Sequence, residues 1–186
     1  MKVKDEKASI WTLPNRLSLI RILSIPIIII LITSQEKNLL FASGLLFILA
    51  GITDGLDGFM ARRMNLTSRL GVYLDPIADK LLVSSVLITL SYYRMVPLWV
   101  TILLVAREFI INGLRSFYAT EGIIIYPSFA GKLKTALQLT GIAFLLFSEY
   151  SKFLYYPGMV MIYAALFFSI YSAIRYVHAM FKTVKE

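Results

Sequence analysis

Six stretches of mostly apolar residues, each about as long as the roughly 20 residues an α-helix needs to cross a bilayer, follow one another along this chain. They cover about residues 13–33, 39–57, 72–92, 97–117, 133–147 and 157–177. Because 58% of the 186 residues are hydrophobic, a soluble domain of this size could not bury all the apolar surface. The sequence therefore predicts an all-α, polytopic membrane protein with six transmembrane helices in a single domain over residues 1–186.

The basic residues are distributed unevenly around these stretches. Of the 19 Lys and Arg residues, 13 lie in or within four residues of the N-terminal segment, the connectors 58–71 and 118–132 and the C-terminal segment, whereas 3 lie on the opposite side. Because Lys and Arg favour the cytoplasmic side, we expect a cell-membrane protein with both termini and both these connectors in the cytoplasm. Residues 1–12 could form a short interfacial helix, and no cleavable signal peptide is evident.

The composition also excludes some classes of site and partner. The chain has no cysteine, so disulfides and thiolate metal sites are excluded. Its net charge of +8 suits anionic lipid head groups. No basic face is interleaved with exposed aromatic residues, so no nucleic-acid partner is expected.

Four aspartates interrupt the apolar pattern around the connector 58–71. Asp54 and Asp57 are three residues apart, and Asp75 and Asp79 are four apart, so each pair shares one face of a helix. Two antiparallel helices would bring all four together near the cytoplasmic boundary. Ionised carboxylates there are costly unless they are paired or bind metal. Oxygen-only ligands suit Mg²⁺ or Mn²⁺, and two ions would balance four charges, as in two-metal sites for displacement at phosphorus.

Small residues accompany these carboxylates. Gly55, Gly58 and Ala61 would let a bulky ligand approach the second helix, and Gly71 would do the same on the third. Arg62 could bind a phosphate or an aspartate through two hydrogen bonds. An isolated aspartate at a helix end is usually a cap or a solvated residue, whereas four on two facing helices indicate a site.

These residues form the pattern D-x2-D-G-x2-A-R-x8-G-x3-D-x3-D, which resembles without departure the signature of the CDP-alcohol phosphatidyltransferase family. Its fixed positions are Asp54, Asp57, Gly58, Ala61, Arg62, Gly71, Asp75 and Asp79. The resemblance implies a six-helix membrane enzyme, usually a homodimer, that transfers a substituted phosphoryl group from a CDP-linked donor to an alcohol and releases CMP. It implies that the first three aspartates bind metal and that Asp79 also lies by the metals as general base. The residues implied to contact the CDP part are Gly58, Ala61, Arg62 and Gly71.

Three further segments resemble the bacterial phosphatidylglycerophosphate synthases within that family. They are LPNRLSLIRILSIP at 13–26, VAREFIINGLRSFYATEG at 105–122 and GKLKTALQ at 131–138. This resemblance implies CDP-diacylglycerol as the donor and glycerol 3-phosphate as the acceptor. Inositol phosphate, serine or a lipid alcohol are alternative acceptors. A divalent-cation transporter is a remote alternative, disfavoured because the carboxylates cluster at one interface.

A dianionic acceptor needs cations near the carboxylates. The candidates for an acceptor-phosphate pocket are Arg107, Arg115, Lys132 and Lys134. Arg107 lies inside an apolar stretch, where its charge requires a partner. Because Glu108 points about 100° away on a helix, the expected partner is an aspartate, a substrate phosphate or a carboxylate from another helix. The alternatives are a structural ion pair for Arg107 and interfacial anchoring for the lysines.

The implied chemistry is direct attack by the acceptor, because no Ser or Cys occupies a fixed position of the pattern. Asp79 would take the proton from the primary hydroxyl of glycerol 3-phosphate, and CMP would leave with metal-stabilised charge. Lys80 is expected to snorkel or to neutralise a neighbouring carboxylate. Asn15 and Arg21 are weaker candidates for acceptor binding.

Overall fold

The described part of the chain is entirely helical in the computed structural model. The structure describes the backbone of residues 13–64, 69–120 and 129–183, and the side chains of residues 17–53, 77–118, 129–178 and 180. The helices are α1 (Leu13–Thr33), α2 (Lys37–Met64), α3 (Arg69–Tyr92), α4 (Leu98–Thr120), α5 (Phe129–Phe147), a short 3₁₀ helix (Lys152–Leu154) and α6 (Tyr155–Thr183). The all-α prediction, with six long helices, is confirmed for these residues.

Several helices extend beyond the apolar stretches. Helix α2 runs to Met64 and α3 begins at Arg69, so most of the predicted connector 58–71 is helical. The segment MARRM at the end of α2 is charged but consists of strong helix formers, which is why the helix outlasts the apolar pattern. Helix α4 likewise continues to Thr120.

Packing divides the chain into two compact units, one up to Val86 and one from Leu87 onward. In the first unit α1 packs against α2. Each helix contributes a buried stripe with steps of three and four residues, the spacing of one helix face. The buried stripe of α1 comprises Ser18, Arg21, Ile25, Ile28 and Ile32, and that of α2 comprises Leu40, Ser43, Phe47 and Ala50.

A tight turn joins α1 to α2. Gln35 adopts the left-handed region with φ of 56°, which is costly for a residue with a Cβ. Its backbone N–H and its side-chain amide both donate to the carbonyl oxygen of Ile32, at 3.2 and 2.6 Å. These two hydrogen bonds satisfy an end carbonyl of α1 and stabilise the turn that lets the two helices pack side by side.

In the second unit, both α4 and α5 pack against α6. Helices α5 and α6 approach closely where Gly141 meets Gly158: a Cβ added at Gly141 would lie 3.1 Å from the carbonyl oxygen of Gly158. Helix α4 contacts the C-terminal half of α6 through a cluster of Ile111, Tyr176 and Met180. Helix α6 therefore forms the common surface on which α4 and α5 are positioned.

The outward faces of several helices are apolar. Side chains that are more than half exposed include Ile20, Leu23 and Ile30 on α1, Ile102 and Ile110 on α4, and Phe167 and Ile174 on α6. Among the described residues, length and composition single out one stretch able to cross a membrane, Lys152–His178, and two shorter apolar stretches, Leu17–Thr33 and Lys37–Thr53. The six predicted spans thus stay a prediction.

Candidate active site

The signature residues lie on two helices of the first unit. Helix α2 carries positions 54–62 and α3 carries positions 71–79. Of the candidate site residues here, Asp79 lies among the described side chains. Those outside them are Asp54, Asp57, Gly58, Ala61, Arg62, Gly71 and Asp75.

The spacing of residues along α2 and α3 relates the signature positions to the buried faces of these helices. The buried stripe of α2 ends at Ala50, and further steps of four and three residues reach positions 54 and 57. On α3, Ala78 and Leu82 are buried, and a step of three residues back from Ala78 reaches position 75. By backbone register alone, positions 54, 57 and 75 fall on the same helix faces as these buried residues.

Asp79 is paired with its neighbour in sequence. Its Oδ2 atom lies 3.1 Å from Nζ of Lys80, and 24% of the Asp79 side chain is exposed. The predicted neutralisation of a neighbouring carboxylate by Lys80 is confirmed. Asp79 is therefore both paired and partly exposed, and its role as general base stays a prediction.

Arg21 is a buried cation close in register to the motif. Its side chain is 2% exposed, and its Nε donates to the carbonyl oxygen of Ala50 at 3.1 Å. The hydroxyl of Thr53 donates to the same carbonyl at 2.9 Å. Because Ala50 lies one turn before Asp54, Arg21 ties α1 to the turn of α2 that leads into the motif.

A second polar cluster joins α4, α5 and α6 within the second unit. Arg107 donates from Nε to the carbonyl oxygen of Ser169 at 3.1 Å and from Nη2 to Oγ of Ser172 at 2.6 Å. Its Nη1 donates to Oε2 of Glu108 at 3.3 Å. Nζ of Lys134 donates to the same Oε2 atom. These five residues are called the Glu108 cluster below.

The Glu108 cluster is largely shielded from solvent and carries excess positive charge. The side chain of Lys134 is 4% exposed, and those of Arg107 and Glu108 are 15% exposed. Counted over these described residues alone, two cations and one anion give a formal charge of one positive unit. Ser169 is fully buried, and within the described residues its hydroxyl has no hydrogen-bond partner. A buried, unpartnered hydroxyl beside excess positive charge suits the binding of an anion.

The four predicted phosphate-binding residues fall into two groups. Arg107 and Lys134 share one carboxylate oxygen. Arg115 and Lys132 are exposed, and the guanidinium carbon of Arg115 lies 5.8 Å from the centre of the Tyr176 ring, within cation–π range. Arg107 is thus partly buried and Lys134 buried, whereas Arg115 and Lys132 are exposed, and the phosphate-binding role of all four stays a prediction.

The expectation that Arg107 pairs with a carboxylate other than Glu108 is wrong for the described residues, which instead show the alternative, an ion pair, here with Glu108. The long arginine side chain spans the 100° step between adjacent helical positions, so Nη1 reaches the carboxylate. The sequence candidates also omit Glu108 itself, although an acidic residue inside an apolar stretch signals a buried partner. Ser169 and Ser172 carry no comparable signal, because single serines are common in helices.

Comparison with known proteins adds an independent observation. The profile of the CDP-alcohol phosphatidyltransferase family matches residues 11–171. The chain is similar to proteins named CDP-diacylglycerol–glycerol-3-phosphate 3-phosphatidyltransferase from three organisms. It is 33% identical to that of Bacillus subtilis (strain 168) over 94% of this chain and 98% of the relative. It is 38% identical to that of Rickettsia typhi (strain ATCC VR-144 / Wilmington) over 90% of this chain and 96% of the relative. It is 35% identical to that of Escherichia coli (strain K12) over 91% of this chain and 94% of the relative. The chain belongs to the CDP-alcohol phosphatidyltransferase family.

Proposed function

We propose that this enzyme transfers the phosphatidyl group of CDP-diacylglycerol to sn-glycerol 3-phosphate, giving phosphatidylglycerophosphate and CMP. The observation that carries the proposal is similarity over nearly the whole chain to relatives named for this reaction. The complete signature on α2 and α3 supports the same chemistry, and the excess positive charge of the Glu108 cluster suits an acceptor that carries a phosphate.

The proposed setting is the cell membrane. Six helices would span the bilayer as one family domain, with both termini and the active site on the cytoplasmic side, and the protein would act as a homodimer. The apolar outward faces of α1, α4 and α6 support burial in lipid. The bias of Lys and Arg supports the orientation.

The donor would bind at the signature. Asp54, Asp57, Asp75 and Asp79 offer carboxylate oxygens alone, a donor set that fits Mg²⁺ or Mn²⁺. One or two such ions, when bound, would supply positive charge to the pyrophosphate and the departing CMP. The backbone around Gly58, Ala61 and Gly71 would make room for the CDP part, and Arg62 would contact its phosphates.

The acceptor would bind through the Glu108 cluster, with Arg107 and Lys134 on its phosphate and Arg115 and Lys132 at the exposed entrance. Asp79 would take the proton from the C1 hydroxyl of glycerol 3-phosphate. The alkoxide oxygen would form a bond to the phosphorus that carries diacylglycerol, and the bond from that phosphorus to CMP would break, with CMP taking the electron pair. Lys80 would hold the carboxylate of Asp79 until the acceptor arrives.

A panel of acceptors tests the proposal. The purified protein in detergent receives CDP-diacylglycerol, Mg²⁺ or Mn²⁺ and one of glycerol 3-phosphate, inositol phosphate or serine, and CMP release and the lipid product are measured. We expect turnover with glycerol 3-phosphate alone and phosphatidylglycerophosphate as its product. Turnover with another acceptor instead would overturn the proposed acceptor. Metal flux into proteoliposomes without nucleotide, with no CMP release from any acceptor, would favour a transporter.

A further inference from the structure

We propose that Glu108 is a positioning residue for the acceptor: its carboxylate holds Arg107 and Lys134 at the spacing at which both can bind one phosphate. The inference rests on the proposed function, because it takes glycerol 3-phosphate as the ligand of the Glu108 cluster. The inference gives Glu108 a role in binding an anion. This is unexpected because a negative charge near a bound phosphate is ordinarily unfavourable.

One carboxylate oxygen sets the distance between the two cations. Nη1 of Arg107 and Nζ of Lys134 both donate to Oε2 of Glu108. Two donors on one acceptor atom lie within two hydrogen-bond lengths of each other, which is about 6 Å at most. Two donors at that spacing can reach different oxygens of a single phosphate group, so the carboxylate preserves a geometry that the ligand needs.

The two cations stand on different helices, Arg107 on α4 and Lys134 on α5. Arg107 is fixed from α6 by the backbone of Ser169 and the hydroxyl of Ser172. Lys134 stands on α5, 26 residues along the chain from Glu108, with four rotatable side-chain bonds to order. The contact with Glu108 joins this ammonium group to a guanidinium that α6 also holds. Pre-organisation of this kind lowers the entropy lost when a ligand binds.

A substitution that removes the negative charge of Glu108 distinguishes a positioning role from a purely electrostatic one. Electrostatics alone predicts that the change should strengthen phosphate binding, because the local charge rises from one to two positive units. Loss of positioning predicts weaker binding, because Lys134 is no longer directed toward Arg107. The direction of the change in affinity for glycerol 3-phosphate therefore distinguishes the two roles.

The experiment compares Glu108→Gln with the wild type and with Glu149→Gln, a matched control at an exposed position after α5. KM is measured separately for glycerol 3-phosphate and CDP-diacylglycerol. Binding of glycerol 3-phosphate alone is followed by the rise in melting temperature that it causes, which needs no turnover. We expect Glu108→Gln to raise KM for glycerol 3-phosphate at least about tenfold and to reduce this thermal shift, with KM for CDP-diacylglycerol changed less than about twofold.

Glu149→Gln should match the wild type. Glu108→Asp keeps the charge but shortens the reach, so it should give an intermediate KM, and it replaces Glu108→Gln if that variant does not fold. An unchanged or lower KM for glycerol 3-phosphate in the Glu108 variants, or an equal rise in both KM values, would overturn the positioning role. A wild type that neither binds nor uses glycerol 3-phosphate would instead overturn the proposed function, so the two failures are distinguishable.

Discussion

One methyl group should have opposite effects on stability at two glycines of this protein. At Gly141 on α5, a Cβ would lie 3.1 Å from the carbonyl oxygen of Gly158 and 3.1 Å from Cδ1 and Cγ1 of Ile162. The isoleucine side chain can shift, but the carbonyl belongs to the backbone of α6. At Gly113 on α4, no atom of the described residues lies within 4 Å of an added Cβ.

The sign and size of each effect follow from these distances. Gly→Ala in a helix gains about 1 kcal/mol from backbone propensity, and at Gly113 this gain should determine the change in stability. Overpacking costs about 1–3 kcal/mol where neighbours cannot move freely, so Gly141→Ala should be destabilising by about 1 kcal/mol net. The two variants should then differ by about 2 kcal/mol, which for a chain of this length corresponds to a difference of about 4–8 °C in melting temperature.

Thermal unfolding in one detergent, followed by intrinsic tryptophan fluorescence, measures this difference, since the chain has no cysteine for thiol-reactive dyes. Gly158→Ala should behave like Gly141→Ala, because its Cβ would lie 3.2 Å from the backbone carbonyl oxygen of Gly141 and 3.1 Å from Cγ of Leu145. Lys134 lies two turns before Gly141 on α5, so a displaced α5 should also raise KM for glycerol 3-phosphate. Equal melting temperatures for Gly141→Ala and Gly113→Ala would refute the close-packing reasoning.

Three further predictions concern the signature and its surroundings. Asp79→Asn should lower kcat at least about a hundredfold, as expected for loss of a general base, with the melting temperature unchanged; robust CMP release would remove the assignment of the base. Arg21→Met should lower the free energy of unfolding by about 1.5–3 kcal/mol, because it loses the charged hydrogen bond to Ala50; an unchanged denaturation midpoint would contradict this. Chelation of divalent ions with EDTA should abolish turnover and added Mg²⁺ or Mn²⁺ should restore it, whereas activity that persists in EDTA would exclude a metal requirement.

The helices were largely predictable because long apolar stretches leave few alternatives to a helix. The ends of the helices were less predictable. The apolar pattern of the second stretch stops at Asp57, whereas α2 continues to Met64. Hydropathy indicates where a segment would leave the hydrocarbon core of a membrane. Helix propensity influences where the helical backbone hydrogen bonds end. The segment between these two limits carries Ala61 and Arg62, so in this family the difference falls on residues of the signature.

The site was predictable only where its residues are close in sequence. Spacing of three and four residues places Asp54 with Asp57 and Asp75 with Asp79 on common helix faces. No spacing rule relates Glu108 to Lys134, because their contact depends on how α4 and α5 are positioned on α6. The same limit applies to Arg21, whose contact with Ala50 requires the α1–α2 pairing.

The packing of α1 on α2 also concerns the acidic signature, because the signature follows directly after the α2 residues that pack against α1. Near the turn, the facing stripes are mostly hydrocarbon, with Ile28 and Ile32 on α1 and with Leu40 and Phe47 on either side of Ser43 on α2. Farther from the turn, the α1 stripe becomes polar at Arg21, which hydrogen bonds to the last residue of the α2 stripe before the motif. The α1–α2 interface is therefore mainly apolar near the turn, where packing stabilises the helix pair. At its other end it contains the buried cation Arg21, which contacts α2 one turn before the position of the first aspartate. Because buried positive charge favours nearby anions, we expect a carboxylate to be less costly at this end of the interface than at the other.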